Sequence, residues 1–95
     1  MDFIGLQYFL AIAKHRNLTK AAQELYISQP TLTKFLQKLE QETGGKFFRK
    51  NGHHYELTFL GQRYLEYARK VITLHQDWEK ELADMRSSYK GELNI

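Results

Sequence analysis

The sequence predicts a mainly α domain in which three helices and a short β-hairpin precede one long C-terminal helix. Three observations predict it. Apolar residues recur at spacings of three and four through the first 43 positions and again from Leu60 onward. A residue suited to capping, Asp2, Asn17, Ser28 or Thr58, stands directly before each such stretch. Between Gly44-Gly45 and Thr58 lies the one β-prone segment, built around Asn51-Gly52.

The first helix begins at Asp2 and runs to about Lys14, with Phe3, Leu6, Phe9 or Leu10, and Ala13 on one face and Ile4, Tyr8 and Ile12 flanking them. Lys14, His15 and Arg16 suit the negative end of its dipole. Asn17 opens a short second helix whose stripe is Leu18, Ala21, Ala22 and Leu25. Its alanines let another helix come close. After the connector Tyr26-Ile27, Ser28 caps a third helix with Pro30 in its first turn, where a missing N–H costs nothing. Leu32, Leu36 and Leu39 lie on one side of that helix, with Phe35 at the edge of that stripe. At about 100° per residue, Pro30, Thr33, Lys34, Gln37 and Lys38 fall on the opposite arc, with Gln29 and Thr31 exposed in the first turn. Gly44-Gly45 ends it.

Lys46–Lys50 and His54–Leu57 then read as two short strands around Asn51-Gly52, a pair too small to stand without the helices beside it. From Leu60 large residues fall at Tyr64, Tyr67, Val71, Leu74 and Trp78, after which the stripe shifts one place to Leu82, Met85 and Tyr89. Some thirty residues make a rod of roughly 45 Å. Only one end of it can rest on so small a domain, so the rest of the stripe calls for a partner. Lys90-Gly91 ends the rod, and Glu92–Ile95 has the look of a strand cut off at its start.

Charge is distributed unevenly along the chain. The 95 residues carry a formal charge of +3. Residues 1–58 hold eight basic and five acidic residues, whereas 59–95 hold six of each. The excess therefore sits wholly in the first part, and within it on the third helix and hairpin, at Lys34, Lys38, Lys46, Arg49 and Lys50. A short helix, a tight turn and a second helix bearing exposed amides, hydroxyls and lysines describe a helix-turn-helix. Such a helix suits the major groove of double-stranded DNA. Gln29 and Gln37 can pair with adenine, Lys34 and Lys38 with guanine or phosphate, and the methyl groups of Thr31 and Thr33 can pack on thymine. The basic hairpin is placed like the wing of a winged helix.

Other chemistry finds little support. The chain has no cysteine, which excludes disulfides, thiol catalysis and cysteine-ligated zinc. His53 and His54 are adjacent, so on a strand they point to opposite faces, and neither His15 nor His75 has a spacing relation to them. No metal site is expected. No paired carboxylates, Ser-His-Asp arrangement or phosphate-binding glycine loop stands out, so no enzyme is expected. No run approaches 18 apolar residues and the N-terminus lacks the features of a signal peptide, so the chain reads as cytoplasmic, with no membrane partner. The competing reading is a helical protein-interaction module whose basic face is simply solvated.

From Phe9 through Thr58, the runs Leu18-Thr19-Lys20-Ala21-Ala22, Ser28-Gln29-Pro30-Thr31-Leu32-Thr33-Lys34, Leu39-Glu40, Phe47-Phe48 and Leu57-Thr58, with Gly44 and Gly61, resemble the N-terminal domain of LysR-type transcriptional regulators. The resemblance implies a winged helix-turn-helix DNA-binding domain over 1–58, a linker helix over 59–89 that pairs with its counterpart in a homodimer, and the start of a truncated effector-binding domain at 90–95. It implies DNA contact by Gln29, Pro30, Thr31, Thr33, Lys34, Gln37 and Lys38 and by Lys50, Asn51 and His53 of the wing. Dimerisation would fall to Tyr64, Tyr67, Val71, Leu74, Trp78 and Leu82. The full-length protein would sense a small molecule through a C-terminal domain and assemble dimers into tetramers on a promoter operator; no cofactor is expected in this fragment. Five positions depart from the family pattern. Lys34 and Lys50 stand where arginine is usual, Phe35 where a polar residue is usual, with inward packing and a DNA-facing position both open, and His53-His54 where a basic pair is usual, which would weaken wing contacts near neutral pH.

Overall fold

The computed structural model describes residues 2–88. In order they form α1 (Phe3–His15), α2 (Leu18–Leu25), α3 (Gln29–Thr43), β1 (Phe48–Asn51), β2 (His54–Leu57) and α4 (Phe59–Ser88). Tyr89 and the proposed stop and strand at 90–95 lie outside the described residues.

Each helix starts where a side chain can satisfy its free N–H groups. Asp2 Oδ1 accepts from the Gly5 N–H at 2.8 Å, Asn17 Oδ1 from Lys20 at 2.9 Å and Ser28 Oγ from Thr31 at 3.2 Å. Thr58 Oγ1 does the same for Gly61 at 3.0 Å and donates to the Lys46 carbonyl at 2.6 Å. Three helices end on a left-handed residue, at Arg16, Tyr26 and Gly44. Only the last is a glycine, so α1 and α2 are terminated by residues that find this backbone unfavourable. Their N–H groups return to Ile12 and Ala22, and these tight reversals let α1, α2 and α3 fold back on one another.

The hairpin differs from the sequence expectation by its register. β1 begins at Phe48, not Lys46, because the Phe47 N–H is taken by the Glu40 carboxylate at 2.8 Å and its carbonyl by the Thr58 N–H at 3.0 Å. Asn51 pairs with His54, which makes Gly52 and His53 the two turn residues. Gly52 has φ +65°, the sign required at the first central position of a type II′ turn. The turn is thus one residue later than Asn51-Gly52 suggested, and His53 sits in the turn and not on a strand.

The core lies where α1, α2, α3, the hairpin base and the start of α4 converge. Phe9, Ile12, Leu32 and Phe47 are its fully buried large side chains. Phe9 is ringed by Phe47, Phe48 and Tyr64 with centroids 5.7, 5.4 and 4.7 Å away. Gly61 explains how α4 comes so close, since a Cβ there would stand 2.1 Å from the Phe47 carbonyl oxygen. Ala68 is the last fully covered residue of α4; beyond Ile72 only Leu82 and Met85 are even partly covered. The resulting shape, 55 × 26 × 20 Å, is a small body with a projecting rod. No helix among the described residues is long and apolar enough to cross a membrane.

Candidate nucleic-acid interface

The candidate surface is the open face of α3, a helix held from behind by its buried leucines. Leu32, Leu36 and Leu39 are buried against α1 and α2, and Ala21 and Ala22 of α2 leave room for that approach. Phe35 is half-buried and meets Tyr8 of α1 edge-on at 5.3 Å, so it packs inward. Across the helix, Gln29, Pro30, Thr31, Lys34, Gln37 and Lys38 are exposed, and Thr33 is half-buried. Their first turn is ordered before any ligand arrives. Ser28 Oγ lies 2.8 Å from Thr31 Oγ1, and Gln29 Nε2 donates to Thr33 Oγ1 at 2.7 Å.

The wing is tied to this helix by one carboxylate. Glu40, near the C-terminal end of α3, accepts the Phe47 N–H and pairs with Lys46 at 3.5 Å, with its own side chain only 11% exposed. On the other side the Tyr55 N–H donates to the Arg16 carbonyl at 2.9 Å, fixing β2 to the turn between α1 and α2. Lys50 and His53, both exposed, thereby come beside Gln29 at the N-terminus of α3; Asn51, between them in the chain, is exposed too. Gln29, Lys50 and His53 line one small concavity of about 90 Å³ with Asn17, Thr19 and Tyr55. Lys34, Gln37 and Lys38 line a second, open groove of about 510 Å³ with Gln41 and Lys46. Helix and wing residues far apart in sequence are therefore neighbours. Thr19 and Gln41, to which the sequence assigns no role, share these two concavities, and so does Lys46, which the sequence marks only by its charge. Thr19 was legible in principle, being two positions after the Asn17 cap.

Of the four cations lining these concavities, Lys46 is paired with Glu40 and Lys38 only loosely held. Lys38 approaches Glu42 at 4.0 Å, whereas Lys34, Arg49 and Lys50 have no ion pair among the described residues. Lys14 and His15, by contrast, are both drawn to Glu24 Oε1, at 2.7 and 3.0 Å. Those hydrogen bonds, Lys14 first and His15 second, hold the Glu24 carboxyl below its ordinary value of 4.5. Lys14 is thus paired within the protein, whereas Lys34 and Lys50, like Arg16 and Lys20 nearby, keep their charge without an acidic partner among the described residues.

The stripe on α4 divides. Tyr64 and Val71 are half-buried against their own core, Tyr64 between Phe9 and Phe47, and burial pushes its phenol up to about 12, with Tyr67 beside it adding to the effect. Tyr67, Leu74 and Trp78 remain 51%, 69% and 50% exposed and form one face with Leu60. Leu82 is half-buried further along. Of the six residues assigned to dimerisation, two are therefore engaged by their own domain.

Residues 4–62 match the family described as "Bacterial regulatory helix-turn-helix protein, lysR family". The chain is 36% identical over its whole length to the HTH-type transcriptional regulator CitR of Bacillus subtilis (strain 168), of which it spans 33%. Among solved structures it resembles the BenM DNA-binding domain in complex with catB site 1 DNA, with TM-score 0.85 and 29% identity over 92% of this chain and 97% of that one. It also resembles the DNA-binding domain of CbnR in its DNA complex, with TM-score 0.79 and 34% identity over 90% of this chain and all of the other.

Proposed function

The chain belongs to the LysR family of bacterial regulatory helix-turn-helix proteins, and on that premise we propose that residues 1–58 bind a promoter operator in double-stranded DNA as part of a dimeric transcription regulator. The observation that carries this reading is the joint placement of Gln29, Lys50 and His53 around one concavity. It sets the reading helix and the wing side by side, so that one can enter the major groove while the other follows the adjacent backbone.

The work divides between two sets of residues. Lys34, Lys38 and Lys50, with Asn51 and His53, neutralise or hydrogen-bond phosphates and displace counterions, which supplies affinity without sequence choice. Gln29 and Gln37 hydrogen-bond base edges and the methyl groups of Thr31 and Thr33 pack on thymine, with Pro30 shaping the first turn, and these supply the choice. The exposed face of α4 at Leu60, Tyr67, Leu74 and Trp78, continued by Leu82, pairs with a second copy. That pairing fixes the distance between two reading helices and makes the target an interrupted inverted repeat. The chain spans 33% of CitR, and the longer protein would sense a small molecule through a following domain that begins near residue 90, act in the cytoplasm and assemble dimers into tetramers.

A salt titration tests the reading. Retardation of promoter-sized duplexes should weaken steeply as salt rises, with log K linear in log salt. A protein-interaction module with a solvated basic face would leave the same duplexes unretarded at moderate salt.

A further inference from the structure

We propose that Thr33 is a positioning residue for Gln29: its hydroxyl holds the glutamine amide so that the two side chains read one base as a single unit. The proposal rests on the reading that α3 enters the major groove, and it goes further by dividing labour within the helix.

Three observations carry it. Gln29 Nε2 donates to Thr33 Oγ1 at 2.7 Å across one helical turn. Thr33 is half-buried while every other residue of the arc is exposed, so its hydroxyl has less reach toward a base than those around it. The second threonine of the arc is committed elsewhere, since the Thr31 hydroxyl pairs with the Ser28 cap at 2.8 Å. The Gln29 backbone is fixed by the same cap and by Pro30, leaving its side-chain torsions as the freedom still to be lost.

The chemistry fits adenine. A primary amide has two N–H donors and one carbonyl acceptor. Giving one donor to Thr33 leaves one N–H and the carbonyl, the pair that N7 and the N6 amino group of adenine require. Because Thr33 receives the nitrogen end, the order of donor and acceptor along the groove is set, and the reversed order is disfavoured. An amide already held loses less side-chain freedom on binding.

The test uses duplexes enriched by the protein from a randomised pool, with affinity measured for the parent and for duplexes changed at each base pair. Gln29→Ala should flatten the preference at one base pair. Thr33→Val, which keeps the branched shape and removes the hydroxyl, should flatten the preference at that same base pair and weaken binding about three- to tenfold. In the Gln29→Ala background the same change should cost nothing, and Thr33→Ser should restore the preference. Circular dichroism of each variant separates these effects from loss of helix. Additive losses, or a Thr33→Val effect at a different base pair, would overturn the pair while leaving Gln29 as a reader. If Gln29→Ala alone changes no preference, the reading role falls and the pair with it.

Discussion

Glu40 is the residue on which the wing's position depends, and the cost of losing it can be worked from its contacts. Phe47 is fully buried and its N–H has the Glu40 carboxylate as acceptor at 2.8 Å. Glu40→Ala leaves that buried N–H without a partner, which costs about 1–3 kcal/mol. The Lys46 pair adds little, because Lys46 is 79% exposed and such pairs contribute about 0–1 kcal/mol. A total of about 1–4 kcal/mol follows, a large share of the stability of a domain this size. Glu40→Gln keeps a carbonyl acceptor and loses only the charge assistance, so about 1 kcal/mol is expected. Urea unfolding followed by circular dichroism measures both. Equal losses for the two variants, or a loss below about 0.5 kcal/mol for alanine, would refute the assignment of Glu40 as the acceptor that holds the wing.

Three further outcomes are expected. Lys50→Ala should weaken binding on all duplexes alike and reduce the salt slope by about one, and an unchanged slope would remove the wing from the phosphates. Leu74→Glu, on the exposed face of α4, should convert a dimer to a monomer in sedimentation while the N-terminal domain stays folded; a monomeric parent protein would count against pairing through this face. Burial holds the Tyr64 phenol at about 12, above its ordinary value of 10.0, so the stability it lends is complete below pH 10 and is lost as pH climbs toward 12. Phenolate absorbance should then show a late step toward pH 12, and Tyr64→Phe should remove it.

The order of elements and their caps could be read from the chain because they are local. Asp2, Asn17, Ser28 and Thr58 each act within three residues of themselves, and the apolar spacing of α3 separates its buried leucines from its open arc. What escaped is whatever depends on distant partners. Phe47 reads as strand until its N–H is seen to be taken by Glu40, seven residues earlier, and this delays β1 and moves the turn to Gly52-His53. Thr19 and Lys46 reach the candidate interface only once α2 and the hairpin are folded against α3. On α4 the heptad spacing was visible, but a stripe does not say which of its residues face their own domain. The close approach that Gly61 permits turns Tyr64 and Val71 inward and leaves Tyr67, Leu74 and Trp78 outside. Phe35, open from sequence, is settled by Tyr8 on another helix.

In the proposed dimer two copies of α3, spaced by α4, read one interrupted inverted repeat. Sequencing of genomic duplex fragments retained by the protein at physiological ionic strength tests it directly. The expected result is a shared motif of two inverted half-sites at a fixed separation, lost when Leu74→Glu replaces the parent chain. Retained fragments with no common sequence, or with single half-sites in the parent protein, would contradict it.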